Sequence, residues 1–197
     1  MSADPSRDNG RAAPAPLRTG LLGMRLLILA LSMLFAASIF GYLVIRSRAT
    51  VWPPPGVPRL PSSLWISTLI IVISSVTMQA AVRAARADRK SALRAGMVFT
   101  TLLGAAFLVS QTVNWFALVA ANLTAKTNLY GFTFYMLTGL HAAHVIGGLI
   151  PLAVVTARAF RGHYSAAAYS GVAYCAVYWH FLDAVWVILF AVLMLAS

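Results

Sequence analysis

The sequence predicts an all-α, polytopic membrane protein that folds as a bundle of five transmembrane helices. Of its 197 residues, 60% are hydrophobic and only 10% are charged. The apolar residues form five stretches, and at about 1.5 Å per helical residue each is long enough to cross about 30 Å of hydrocarbon. These stretches are continuously apolar, whereas the strands of a membrane barrel alternate in polarity over about ten residues. Helices are therefore the predicted spanning elements.

Taken in order, the chain begins with a polar segment, residues 1–20, which contains three prolines and too little apolar surface to fold. We expect it to be a disordered cytoplasmic tail. Residues 21–197 are the predicted transmembrane domain, with helices at about 21–45, 62–85, 95–123, 130–157 and 166–195. The first two helices are joined by the Pro-rich segment 52–58, which is expected to be extended because proline has no N–H donor.

The net charge of +11 comes from basic residues that lie at the ends of the predicted spans. This placement follows the positive-inside rule and argues against a nucleic-acid partner. Most of the basic residues fall on one side of the membrane, namely Arg7, Arg11, Arg18, Arg25, Arg83, Arg86, Arg89, Lys90, Arg94, Arg158 and Arg161. The other side has Arg46, Arg48, Arg59 and Lys126. We therefore expect a cytoplasmic N-terminus and a C-terminus outside.

Small residues recur every fourth position in two of the predicted helices. Gly96 and Gly104 flank Thr100 in the third span, and Gly139, Ala143 and Gly147 follow the same spacing in the fourth. Such spacing lets helix backbones approach closely, so these residues are predicted to pack helices together. The alternative is chance recurrence in a sequence that is rich in Gly and Ala.

Four polar residues lie deep within the last two spans, where ionisable groups are costly and usually have a specific role. His141 and His144 lie in the fourth span, and His180 and Asp183 lie in the fifth, with a three-residue step in each pair. Because that step keeps both members on one helix face, and because the two pairs lie at similar depths, His141 is expected to meet Asp183 and His144 to meet His180.

Three hypotheses compete for this quartet of His141, His144, His180 and Asp183. The quartet is a structural polar clamp that fixes the antiparallel hairpin of the fourth and fifth spans, a metal or haem site built from imidazole and carboxylate ligands, or part of a proton relay. We favour the clamp, because the polar residues that would continue a relay toward the surface are sparse. The chain has no Glu and no recognisable phosphate-binding or nucleophile motif, so no catalytic residue is predicted.

Two segments around this quartet resemble the signatures of the haem-copper oxidase subunit III family, which includes subunit 3 of cytochrome c and quinol oxidases. These segments are residues 134–145 and 178–186. Further residues resemble the same family in the same order, and the match covers about residues 25–195. They are residues 52–56 with Leu60 and Pro61, then Ser74, Ser75 and Thr77, and then Gln111 with Trp115.

The resemblance implies a cofactor-free, five-helix subunit III that supports the stability and assembly of catalytic subunit I in aerobic electron transport. It also implies bound phospholipid, a location in the bacterial cytoplasmic (inner) membrane, and haem and copper in the partner. Alternatives are an accessory subunit of a nitric oxide reductase and an independent haem-binding membrane oxidoreductase. The family usually has intramembrane Glu residues at positions occupied here by Leu31, Asn114 and Ala173, so a proton-related role is in doubt.

Overall fold

The computed structural model describes residues 16–58 and 60–195, and within them it confirms an all-α architecture. All five helices in this part of the chain are long and apolar enough to span a membrane. They are α1 (Pro16–Arg48), α2 (Ser63–Arg86), α3 (Lys90–Ala120), α4 (Leu129–Phe160) and α5 (Ser170–Leu195). Helix α1 begins within the predicted disordered tail, and the rest of that tail, residues 1–15, lies outside the described residues.

Several helices extend beyond the predicted apolar spans, because Ala and Arg favour helix and need no hydrocarbon around them. Helix α3, for example, begins at Lys90, five residues before the predicted start. Long basic side chains at such ends reach the aqueous interface while their backbone stays helical. The hydropathy pattern therefore underestimates α1 and α4, whereas it overestimates α5, which begins at Ser170, four residues after the predicted start.

Helices α2, α3, α4 and α5 form a closed arrangement in which each packs against two of the others. Helix α1 lies outside this group and contacts α5 and, less extensively, α4. The core between the four helices is filled by large side chains, among them Phe107, Phe134, Trp179 and Trp186, each no more than 1% exposed. Because α1 touches the group along one edge only, it leaves long apolar grooves on both of its sides.

Two glycines of α3 allow its close approach to neighbouring helices. A Cβ atom at Gly96 would lie 2.9 Å from the Cβ of Ala81 in α2, and one at Gly104 would lie 2.6 Å from Cη2 of Trp179 in α5. Both distances are shorter than ordinary carbon–carbon contacts of about 3.5–4.0 Å. Gly96 and Gly104 therefore lie where the sequence pattern placed close helix contacts.

The connections are held to the bundle by specific polar contacts. The indole of Trp52, in the Pro-rich segment, donates a hydrogen bond to the hydroxyl of Tyr42 at 3.3 Å, and its ring lies 5.2 Å from that of Tyr130. The side chain of Asn128 accepts a hydrogen bond from the Gly131 amide at 2.7 Å and so caps α4. In the connection between α4 and α5, burial raises the pKa of Tyr164.

Candidate functional site

His141 is completely buried in an aromatic cage at the centre of the bundle. Its ring centroid lies 6.2 Å from that of Phe35 in α1, 5.7 Å from that of Phe107 in α3, and 5.2 Å from that of Trp186 in α5. Neither ring nitrogen has a hydrogen-bond partner among residues 16–58 and 60–195. The imidazole therefore contributes through ring packing between four helices and makes no polar contact with Asp183.

His180 faces α2 and not α4. Its Nδ1 lies 2.7 Å from the hydroxyl oxygen of Ser75, and its Nε2 lies 3.3 Å from Oε1 of Gln79. Because the amide oxygen only accepts, Nε2–H is the donor to Gln79, and in the neutral imidazole Nδ1 accepts from the Ser75 hydroxyl. His180 thus joins α5 to α2 through two side chains.

Asp183 lies next to this contact and is 5% exposed. Its Oδ2 is 3.9 Å from Nδ1 of His180, and in the described part of the chain neither carboxyl oxygen has a hydrogen-bond partner. The residue lines an open groove of about 430 Å³ between α2 and α5, together with Ser75, His180 and Ile188. The carboxyl group therefore belongs to the α2–α5 boundary.

His144 is half-buried, and its ring centroid lies 5.2 Å from that of Phe35 in α1. Its Nδ1 is 2.7 Å from the carbonyl oxygen of Leu140, one turn earlier in the same helix. The hydroxyl of Tyr178 in α5 donates to the backbone carbonyl of His144 at 3.1 Å. The link between α4 and α5 at this level is thus made by a tyrosine and a backbone oxygen.

The predicted pairs of the quartet, His141 with Asp183 and His144 with His180, are therefore wrong. The three-residue step places each pair on one face of its own helix, but the rotation of α5 about its axis turns His180 and Asp183 toward α2. The expectation that His141, His144, His180 and Asp183 form a polar clamp between spans four and five stays a prediction. In the structure the side-chain contacts of His180 are with α2.

The geometry of the quartet does not fit a haem or metal site. Aromatic rings enclose His141, and Nδ1 of His144 and both nitrogens of His180 lie within hydrogen-bond distance of protein groups. Within the described residues, no group of three or more His, Cys, Asp and Glu side chains could hold a metal ion. A proton relay is also interrupted at His141, whose nitrogens contact no polar group in those residues.

A polar network between α2 and α3 is the part of the interior that the sequence analysis did not predict. Asn114 is 1% exposed and donates from Nδ2 to the hydroxyl of Ser67 at 3.2 Å. Its Oδ1 accepts from the hydroxyl of Ser63, and the hydroxyl oxygens of Ser67 and Ser110 lie 2.7 Å apart. Asn114 is one of the three positions at which the resemblance implies Glu. Here its amide makes hydrogen bonds that hold α2 and α3 together.

Two tryptophans of α5 make further links to α2. The indole N–H of Trp179 donates to the hydroxyl of Ser74 at 3.0 Å, and that of Trp186 donates to the hydroxyl of Thr68 at the same distance. The serine-rich composition of α2 was the available signal, because hydroxyl groups within a span usually face neighbouring helices. The sequence alone does not reveal which donors reach them.

The small residues of α4 lie on the outer surface of the bundle. A Cβ at Gly139 would meet no atom of the described chain within 4 Å, and one at Gly147 would meet only the hydroxyl of Tyr178, at 4.0 Å. Ala143, between them, is exposed. Within the described residues Gly139, Ala143 and Gly147 make no close contact with another helix, in contrast to Gly96 and Gly104, so their role in helix packing stays a prediction.

The other two positions of the family's Glu residues lie at the edge of the bundle. Leu31 lines an apolar groove of about 440 Å³ between α1, α4 and α5, which His144 also borders. Ala173 lines a smaller groove at the start of α5. Neither Leu31 nor Ala173 provides a carboxyl group.

Comparisons with known proteins agree with the resemblance carried by the motifs. A family model described as cytochrome c oxidase subunit III matches residues 9–197. Cytochrome c oxidase subunit 3 of Synechocystis sp. is 34% identical over 188 residues, which cover 94% of this chain and 78% of that protein. Its counterpart in Thermostichus vulcanus is 33% identical over 174 residues, covering 88% and 85%. A probable cytochrome c oxidase subunit 3 of Nocardia farcinica is 35% identical over 161 residues, covering 81% and 79%.

Proposed function

The chain belongs to the cytochrome c oxidase subunit III family, and from that premise we propose that it is a cofactor-free accessory subunit of a respiratory haem-copper terminal oxidase. Its partner is the catalytic subunit I, which holds the haem and copper. The chain supports the stability and assembly of that subunit in aerobic electron transport.

One observation carries this proposal: among the residues that the structure describes, polar side chains inside the spans join helices of this chain to each other and do not converge on a reaction centre. Examples are Asn114 with Ser67 between α2 and α3, and Trp179 with Ser74 between α2 and α5. Hydrogen bonds between membrane helices fix their relative positions. A bundle held in this way offers a rigid surface against which a larger subunit can be supported.

The location and lipid contacts of the chain form part of the same proposal. The distribution of basic residues and the bacterial relatives support a bacterial cytoplasmic (inner) membrane, with the N-terminus in the cytoplasm and the C-terminus outside. The grooves on both sides of α1 are each about 440 Å³ and are lined mostly by apolar side chains, which suits the acyl chains of bound phospholipid. Proton transfer is left out of the proposed role, because Leu31, Asn114 and Ala173 carry no carboxyl group.

The test compares the oxidase purified with and without this chain. The initial rate of oxygen reduction is expected to be similar in both preparations, but activity during sustained turnover should decay faster in the one that lacks the chain. Adding the chain back by co-expression should restore the slow decay. Equal decay in the two preparations would contradict the supporting role, and a haem spectrum typical of a nitric oxide reductase would assign the chain to a different enzyme complex.

A further inference from the structure

The outer face of the bundle between α3 and α4 carries a groove of about 230 Å³. Its lining includes Leu108, Gln111, Gly139, Ala143 and Ile146. The groove is distinct from the quartet and from the apolar grooves beside α1. Two independent features of it, a buried amide and a strip of small residues, point to the same kind of occupant.

The first feature is Gln111, which is 1% exposed and has no hydrogen-bond partner for either amide atom among the residues that the structure describes. An amide left unpaired away from water is costly, so buried polar groups are nearly always hydrogen-bonded. The side chain of Gln111 lines the groove and has three rotatable bonds, through which its amide can turn toward a group placed there.

The second feature is the small-residue strip of α4. Space beside Gly139 is open, and Ala143 one turn further is exposed. Such a strip lets the backbone of another helix approach closely, and within the described chain no helix does so. Glycines that serve this purpose inside the bundle, such as Gly96 and Gly104, are in tight contact with α2 and α5.

Both features lie at the same depth. Gln111 is nine residues from the end of α3 at Ala120, and Gly139 is ten residues from the start of α4 at Leu129. These separations correspond to about 14 and 15 Å along the helix axes. The groove therefore opens to the hydrocarbon layer, where acyl chains provide no hydrogen-bonding group.

From these observations we infer that the groove between α3 and α4 receives a membrane-spanning helix of the haem-containing partner subunit, and that this helix presents a Ser, Thr, Asn or Gln side chain to Gln111. The inference rests on the proposed function, since it names the surface by which the accessory subunit binds its partner. A neutral side chain that both donates and accepts satisfies the amide fully. Ile146, which lines the groove and is 54% exposed, is positioned to be covered by the same helix.

The first experiment is photo-crosslinking within the intact, purified complex. Benzoylphenylalanine replaces Thr112, an exposed residue that lines the groove, and a control probe replaces Val76 on the outer face of α2. The Thr112 probe is expected to form adducts with a spanning peptide of the haem-containing subunit that carries one of the four polar residues, and the Val76 probe is not. Adducts with lipid alone, adducts with a second copy of this chain alone, or identical products from both probes would overturn the inference.

The second experiment uses matched substitutions. Gly139→Leu fills the open space of the groove, and Gly41→Leu makes the same change in α1, where a Cβ also meets no described atom within 4 Å. After affinity purification of the chain, the amount of co-purified haem per chain is expected to fall strongly for Gly139→Leu and to stay at the wild-type value for Gly41→Leu. Equal haem content in the two variants would overturn the inference.

Gln111→Leu separates docking from folding. The isolated variant is expected to be at least as stable as the wild type, because the amide has no partner among the described residues. Its affinity for the haem-containing subunit should fall about three- to tenfold, the range that one hydrogen bond between membrane helices corresponds to. Loss of stability in the isolated chain with unchanged affinity would overturn the inference. If the wild-type chain retains no haem-containing subunit, the proposed function fails. If the wild-type chain retains that subunit and all groove variants retain it equally well, only the assignment of the groove fails.

Discussion

The contrast between two glycines of neighbouring helices gives a sharp test of the helix packing. Gly104 in α3 faces Trp179, whereas Gly139 in α4 faces no other helix of the described chain. The same substitution, Gly to Ala, changes intrinsic helix preference by a similar amount at both positions. Any difference between Gly104→Ala and Gly139→Ala therefore reports the surroundings of the added methyl group.

The magnitude follows from the contacts at Gly104. A Cβ there would lie 2.6 and 2.8 Å from two ring carbons of Trp179, so the ring must move by at least about 0.9 Å to restore an ordinary contact. Trp179 is 1% exposed and is held by its hydrogen bond to Ser74. Overpacking of this kind costs about 1–3 kcal/mol, the strained hydrogen bond adds about 1 kcal/mol, and the helix preference of Ala returns about 1 kcal/mol. The free energy of unfolding of Gly104→Ala should thus be about 1–3 kcal/mol lower than that of the wild type.

The assay is reversible unfolding of the purified chain in detergent micelles, titrated with a denaturing detergent and followed by circular dichroism. Gly139→Ala is the matched control and should equal the wild type or gain up to about 1 kcal/mol. If Gly104→Ala is as stable as Gly139→Ala, α3 does not approach α5 at Gly104, and the described packing of the bundle is refuted.

Three further predictions use the same unfolding assay. Trp179→Phe removes the indole donor to α2 and should lower the free energy of unfolding by about 0.5–1.5 kcal/mol. The control Trp65→Phe, at a residue that is 62% exposed, should have no effect. Equal losses in the two variants would contradict the hydrogen bond between Trp179 and Ser74. Asn114→Leu removes the hydrogen bonds of the amide to Ser63 and Ser67 and should cost about 1–3 kcal/mol, and an unchanged value would argue against the network between α2 and α3. His180→Phe should cost about 1–2 kcal/mol through its lost bonds to α2. Asp183→Asn should stay within about 1 kcal/mol of the wild type, because neither carboxyl oxygen has a hydrogen-bond partner in the described structure. The reverse order would contradict the contacts assigned to His180 and Asp183.

The fold was predictable because hydropathy is a property of each residue that does not depend on its neighbours in space. Five apolar stretches separated by charged or Pro-rich breaks suffice to define five spanning helices. Helix ends were less predictable: α3 begins at Lys90 because a charged residue can continue a helix beyond the hydrocarbon layer. The motifs around His141 and Asp183 were sufficient to indicate the family, which the comparisons then established.

Side-chain partners were not predictable, because they depend on how each helix is rotated about its own axis. The spacing of His180 and Asp183 defines a shared face but not the helix that it meets. In the structure that rotation places Trp179 against Gly104, which turns His180 toward Ser75. The small residues of α4 show the same limit, since Gly139 has the spacing of a packing position and lies on the outer surface.

Haem content per chain is the measurement that tests the central claim most directly. The chain is purified under mild detergent conditions from native membranes and, separately, after expression alone in cells that make haem. The complex is expected to show the absorption bands of haem together with bound copper, and the chain expressed alone is expected to show no Soret band. A Soret band in the isolated chain, or a native complex without haem, would contradict the assignment of this protein as a cofactor-free accessory subunit of a haem-copper oxidase.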